Sequence, residues 1–169
     1  RKHFFAPEEW KDQTVIVTFE GIAHESEVFL NGEKIGEHHC GYTAFSIELS
    51  DKLRIGEENV LAVRVDSREN LNIPPFGYVI DYMTYGGIYR EVYVDVKNEN
   101  YLADIFLHND IEKSKIQKNG EQIADTKLIS EINVFSSGKT NRLKDLFIRQ
   151  SIRERGTENY RLLGETPAA

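Results

Sequence analysis

Glu27-Val28-Phe29-Leu30-Asn31-Gly32-Glu33-Lys34-Ile35-Gly36 places two short extended segments on either side of Asn-Gly. That dipeptide is the strongest local signal for a two-residue β-hairpin, because both residues accept positive φ. The stretches around it follow the same rule. Val15, Val17 and Phe19 alternate with Ile16, Thr18 and Glu20. Phe45 to Leu49 alternates again, and so does the stretch in which Leu61, Val63 and Val65 face away from Ala62, Arg64 and Asp66. Val92, Val94 and Val96 interleave with Tyr93 and Asp95. A period of two marks a strand with one buried face. Ser50 to Arg54 reads as a turn, or one helical turn capped by Ser50 or Asp51. Gly56 and Asn59 mark the turn that follows. Repeated short strands with turns between them, and no long amphipathic helix, predict an all-β antiparallel sandwich.

One long irregular stretch interrupts the pattern. Ser67 to Tyr85 holds Pro74-Pro75, Gly77 and the aromatics Phe76, Tyr78, Tyr82 and Tyr85. A connection of that length in a compact domain is usually functional or packed on itself. It ends at Gly86-Gly87, a pair that permits a tight bend or close backbone approach.

Lys97-Asn98-Glu99-Asn100 breaks the pattern and predicts a boundary, with one domain over 1–97 and another over 98–169. Tyr101 to His108, Leu128 to Phe135 and Leu146 to Arg153 read as further strands. Residues 109–127 read as a polar loop or hairpin containing Asn119-Gly120. So few strands fall short of the seven or so of an immunoglobulin-like sandwich. The second domain is therefore expected to be incomplete. Its last residues are expected to be mobile or to take a partner edge in a homo-oligomer.

Composition excludes several functions. The chain has 21 Lys and Arg against 28 Asp and Glu, a formal charge of −7. That balance suits neither a nucleic-acid backbone nor an anionic membrane surface. No apolar run has the length of a membrane-spanning helix. Cys40 is the single cysteine, which rules out an internal disulfide and reads as a buried small apolar residue. His38 and His39 are adjacent, and on a strand they would point to opposite faces. The acidic pairs Glu8-Glu9, Glu57-Glu58 and Asp66 with Glu69 read as solvated surface. Met83 is the only methionine, so Arg1 reads as an internal start.

No catalytic set stands out. Sugar binding asks for less: an aromatic ring for the C–H face of a pyranose, and a carboxylate or amide for adjacent hydroxyls. Asp81, with Tyr78, Tyr82 and Tyr85 near it, supplies those groups on one loop.

Read in order, the pieces resemble the N-terminal sugar-binding domain of glycoside hydrolase family 2, which includes β-galactosidases, β-glucuronidases and β-mannosidases. Arg1-Lys2-His3-Phe4-Phe5 with Pro7 and Trp10 resembles its opening strand. Val17 to Ile22, then Ala23 to Leu30 closed by Asn31-Gly32, resemble the next strand and hairpin. Gly41-Tyr42-Thr43-Ala44-Phe45 resembles a G-Y-x-x-F strand. Gly56, Asn59, Leu61, Val63 and Val65 follow, and Asp81 to Arg90, ending in Gly86-Gly87-Ile88-Tyr89-Arg90, closes the series.

The resemblance implies a jelly-roll, galactose-binding-like sandwich over 1–97, followed by an incomplete immunoglobulin-like sandwich. It implies a non-catalytic fragment whose parent, most similar to a β-galactosidase, cleaves a β-linked glycoside on a separate (β/α)8 barrel. That barrel is then a partner of this domain. No cofactor is expected in the fragment itself. Asp81 stands six residues before Gly87, at the position of a family aspartate that in β-galactosidases reaches the sugar and a sodium ion. Tyr78 and Tyr82 are candidates for the rim of the site, and Gly86, Gly87 and Arg90 are expected to be structural. Tyr82-Met83-Thr84 departs from the tryptophan of some β-galactosidases. A bacterial parent in the cytoplasm or periplasm fits the resemblance. An autonomous carbohydrate-binding module and an interface sandwich are the competing readings.

Overall fold

The computed structural model describes residues 1–68, 70–73, 85–116, 122–136 and 145–168, with backbone alone at 112–116 and 122–125. The chain separates into two compact units, Arg1–Asn98 and Glu99–Ala169.

The first unit is an antiparallel β-sandwich. One sheet has the order β1-β7-β4-β5, from Lys2–Phe5 (β1), Glu58–Asp66 (β7), Glu25–Leu30 (β4) and Glu33–His39 (β5). The facing sheet is β6-β2-β9, from Phe45–Glu48 (β6), Thr14–Phe19 (β2) and Val92–Lys97 (β9). Ile22–Ala23 (β3) pairs with Gly87–Ile88 (β8). Successive strands cross between the sheets, so contacts are mostly long-range in sequence. Val15, Val17 and Phe19 of β2 meet Val28 and Leu30 of β4 and Leu61 of β7 in one buried cluster. Burying a side chain such as Phe19, 1% exposed, stabilises the fold by roughly 1.5–3 kcal/mol.

The hairpin forms as its sequence predicts. Asn31 has φ 51° and Gly32 φ 89°, the positive pair of a type I′ turn. Val28 pairs with Gly36 but Phe29 with Lys34, leaving Ile35 as the extra residue of a bulge.

Two local expectations fail for stated reasons. Ser50–Lys52 forms a single 3-10 turn, but neither Ser50 nor Asp51 caps it; Leu49 stands at the cap position, without a side-chain bond. The Ser50 hydroxyl instead accepts the Val15 N–H at 3.0 Å and donates to Glu48 at 2.9 Å. Asn59 lies inside β7 rather than at a turn, and it is fully buried. Its amide donates to the carbonyls of Arg54 (2.9 Å) and Glu57 (3.1 Å). Its Oδ1 accepts from the Arg54 N–H (3.0 Å) and the Asn31 amide (2.8 Å). Asn59 therefore ties the 54–57 turn to the hairpin.

The second unit holds two antiparallel ribbons. Asn100–Ile116 (β10) pairs with Gln122–Ser136 (β11) along its length. Phe147–Arg153 (β12) pairs with Tyr160–Pro167 (β13). Of the loop or hairpin expected over 109–127, the hairpin is the one that forms, with longer arms than the sequence suggests, and its turn residues Asn119-Gly120 lie outside the described residues. Register shifts between Leu102 and Asp104 and between Ile111 and Lys113 break the alternation that would have shown β10 at full length. The last residues are not a mobile tail, because Tyr160–Pro167 pairs inside the chain. Adjacent Leu162-Leu163 and a register shift at Gln150/Ser151 conceal that strand in the sequence. Ser130 of β11 donates to Gln150 of β12 at 2.7 Å, joining the ribbons.

Candidate functional site

The two ends of the 67–85 stretch meet at one serine. The Ser67 hydroxyl donates to the Ala23 carbonyl at 2.8 Å and accepts the Gly87 N–H at 2.9 Å. Both glycines have a geometric reason. A Cβ on Gly86 would lie 3.2 Å from Ser67 Cβ and Oγ, and Gly87 has φ 77°. The loop thus leaves and rejoins the sandwich at a closed neck.

The entering side is pinned by charge. Arg68 Nε donates to both Asp66 oxygens, at 2.9 and 3.0 Å, and holds the Asp66 carboxyl well below the usual carboxylate range. Asn70 Oδ1 accepts the Asn72 N–H at 2.9 Å, a local turn.

The returning side is pinned by stacked aromatics. The Tyr89 hydroxyl donates to the Gly41 carbonyl, and its ring stacks on Tyr85 with centroids 5.6 Å apart at 17°. The Arg90 guanidinium lies 5.2 Å from the Tyr89 ring and donates to the Tyr42 carbonyl at 3.2 Å and to the Glu20 carbonyl at 3.5 Å. Gly21 leaves room for this packing, since a Cβ there would come within 3.0 Å of Arg90 Cδ and 3.1 Å of the Tyr89 ring. Tyr85 itself is 62% exposed.

Of the residues singled out from the sequence, Gly86, Gly87 and Arg90 therefore sit at the neck of the loop. Asp81, Tyr78 and Tyr82 lie outside the described residues. Sequence reasoning missed Ser67, Tyr89 and Gly21. Tyr89 lay in a recognised motif in which only Gly86, Gly87 and Arg90 were given roles, and a lone serine or glycine at a strand end carries no distinctive signal.

The histidine pair divides as strand geometry demands. The His38 ring stacks on Phe45 at 4.3 Å, bonds Thr43 at 2.9 Å, and is pushed down in pKa by burial. His39 lies 3.6 Å from a Glu37 oxygen. Cys40 is half-buried rather than in the core. Burial raises its thiol pKa, but hydrogen bonds from Thr43 and the backbone outweigh that and leave it lowered. Among the described residues no group of three or more His, Cys, Asp or Glu gathers in the manner of a metal site.

These features define an antiparallel sandwich with a stapled neck where Ser67 meets Gly86 and Gly87. Residues 1–97 match the family described as glycosyl hydrolases family 2, sugar binding domain, and the chain belongs to that family. It is 37% identical over 140 residues to a β-galactosidase of Thermoanaerobacter pseudethanolicus, covering 78% of this chain and 19% of that protein. A β-glucuronidase of Bacteroides fragilis is 36% identical over 104 residues, covering 62% of this chain and 15% of the relative. The solved structure of a β-glucuronidase from an uncultured Clostridium sp. superposes with a TM-score of 0.67 at 24% identity, covering 98% of this chain and 27% of that one, which shows a shared fold. The chain thus spans less than a fifth of the curated relatives it matches. It holds no (β/α)8 barrel: such a barrel takes about 250 residues and eight helices, and the described residues form strands and two 3-10 turns.

Proposed function

We propose that this chain is the non-catalytic sugar-binding part of a family 2 glycoside hydrolase of the β-galactosidase kind. It lends one wall to a substrate pocket whose catalytic carboxylates stand on a barrel elsewhere in the polypeptide. The observation that carries the reading is the neck built by Ser67, Gly86, Gly87 and the Tyr85–Tyr89–Arg90 stack. Closing a loop at its base lowers the entropy cost of fixing it on binding. Asp81 stands in that loop and is the proposed contact to sugar hydroxyls, with Tyr78 and Tyr82 on the rim.

A sodium ion on Asp81 is what the family resemblance implies, and a carboxylate is a fitting oxygen ligand for it. The proposed partners are a β-linked glycoside and the parent's barrel. A homo-oligomer through the sheet edges is a further proposed partner. The test is to compare the parent's kcat/KM on aryl β-galactosides with that on aryl β-glucuronides. Preference for the glucuronide would overturn the β-galactosidase assignment.

The 62% exposure of Tyr85 favours a second reading, a module that binds sugar on its own. One carboxylate and a few rings support at best millimolar affinity, on the order of −4 kcal/mol. Amide NMR titration of this chain with galactose, glucuronate and mannose checks it. Absence of shifts at tens of millimolar sugar removes the module reading and leaves a loop that acts after docking on the barrel.

A further inference from the structure

A polar groove of about 460 Å³ lies where the chain leaves β7 for the loop. Glu25, Asp66, Arg68, Asn70, Leu71 and Asn72 line it. Strand pairing places the first two: Glu25 of β4 stands directly opposite Asp66 of β7, so both side chains share one face of the sheet. A tight turn places the last three. The Ile73 N–H donates to the Asn70 carbonyl at 3.1 Å, and the Asn72 N–H donates to Asn70 Oδ1 at 2.9 Å. A smaller hollow of about 120 Å³ adjoins the groove through Glu25 and Asp66. Several of these groups keep bonding capacity among the described residues. The Glu25 carboxylate has the Asn70 amide at 3.5 Å and a His39 ring nitrogen at 3.9 Å, at or beyond the limit of a hydrogen bond. Arg68 commits Nε and Nη2 to Asp66, which leaves Nη1 open. Asn72 bonds through its backbone, which leaves its carboxamide open. Leu71 is 69% exposed.

We propose that this groove is a second sugar site, which holds a unit of a longer β-linked glycan other than the unit whose bond is cleaved. A sugar hydroxyl both donates and accepts. The groove offers an acceptor in Glu25, a donor in Arg68 Nη1, and a carboxamide on Asn72 that does both. Leu71 offers an apolar contact for C–H groups. The groove's volume falls within the roughly 300–1,000 Å³ of small-ligand sites, and its polar lining suits a ligand covered in hydroxyls. The Asp66–Arg68 pair and the 70–73 turn fix the lining beforehand, which lowers the ordering cost of binding. Two carboxylates against one guanidinium disfavour an anion. The described residues hold no cluster of the kind that binds a metal ion. This inference rests on reading the chain as part of a glycoside hydrolase, and it extends that reading to the length of the substrate.

The test measures kcat/KM of the whole enzyme on a short and a long substrate. The pairs are 4-nitrophenyl β-galactoside with β-1,4-galactotriose, and 4-nitrophenyl β-glucuronide with a trisaccharide ending in β-glucuronate; the pair the enzyme prefers is used. Asn72→Ala and Glu25→Ala are each expected to lower the ratio of trisaccharide to aryl glycoside about 3- to 10-fold, mainly through KM. Glu25→Gln keeps a hydrogen-bonding group and is expected to hold the ratio closer to that of the parent. The Asn72 carboxamide carries no bond among the described residues, so Asn72→Ala still decides the matter if Trp10 fluorescence shows that Glu25→Ala has unfolded. A ratio unchanged in Asn72→Ala and in folded Glu25→Ala, while Asp81→Asn lowers kcat/KM on both substrates, overturns the groove and leaves the pocket reading standing. Undiminished activity of Asp81→Asn with a lowered ratio in Asn72→Ala overturns the pocket reading and supports the groove. An enzyme that turns over the aryl glycoside but neither trisaccharide also overturns the groove.

Discussion

Replacing Asn59 with alanine is expected to destabilise the first unit far more than a polar-to-alanine change in a strand usually does. Asn59 is fully buried and makes four hydrogen bonds, two as donor and two as acceptor. Its loss leaves the Arg54 N–H, the Arg54 and Glu57 carbonyls and the Asn31 amide each short of a partner. At about 1 kcal/mol for each of the three part-buried backbone groups, the low end of the usual penalty, the cost is about 3 kcal/mol. That is a large share of the roughly 5–15 kcal/mol that holds a domain folded. It corresponds to a fall in Tm of about 12–24 °C for a unit of this size. Trp10 is the only tryptophan and packs against the core of this unit, so its fluorescence in urea reports this unit and not the second. Asn31→Gly, which keeps the positive φ but removes the side-chain bonds to Asn59 and to the Val60 N–H, is expected to cost about 1–2 kcal/mol. The double variant is expected to cost less than the sum, because the two share a bond. A loss below 1 kcal/mol for Asn59→Ala, or strict additivity with Asn31→Gly, would refute the clamp.

Ser26 is 2% exposed and its hydroxyl has no hydrogen-bond partner among the described residues, so Ser26→Ala is expected to stabilise the unit by about 1 kcal/mol in the same urea assay. Gly87→Ala places a Cβ in open space but at φ 77°, so it is expected to cost about 1–2 kcal/mol from the backbone alone, measured by thermal unfolding. Hydrogen bonds from Lys34 and Arg64 hold Glu27 below its ordinary pKa, and Lys34 does the same for Glu37. A depressed carboxylate pKa contributes stability that is complete above the unfolded value of about 4.5 and is lost as pH falls through the lower folded value. Between pH 5 and pH 3, Tm is therefore expected to fall less in Glu27→Gln than in the parent chain. These groups are solvent-exposed, so about 1 M salt is expected to narrow that difference. An equal or steeper fall in Glu27→Gln counts against the pairing.

Strands β2, β4 and β7 were legible because one face of each is buried: Val15, Val17 and Phe19 sit in the core their alternation predicted. Asn31-Gly32 was legible because its backbone conformation is local. What escaped depends on partners distant in sequence. Ser50 looked like a helix cap, but its hydroxyl is engaged by Val15 across the sheet. Asn59 looked like a turn residue because polar side chains rarely enter a core, and only its four bonds explain its burial. In the second unit, β10 and β13 are mostly exposed strands with register shifts, so no clean apolar period reached the sequence. The loop stood out in the sequence as a candidate site by its residue types alone. Its neck was not, since Ser67, Gly21 and Gly86 acquire their roles only when Ala23, Arg90 and Gly87 are brought beside them.

The proposal that this domain contributes to a sugar pocket is tested most directly in the whole enzyme, by the kcat/KM of Asp81→Asn on an aryl β-galactoside. Loss of a charged hydrogen bond worth roughly 1.5–3 kcal/mol predicts a 10- to 100-fold fall, with Trp10 fluorescence unchanged. Activity within about 2-fold of the parent would show that the Asp81 carboxylate makes no contact that matters to the reaction, and would contradict the assignment of this loop to the substrate site.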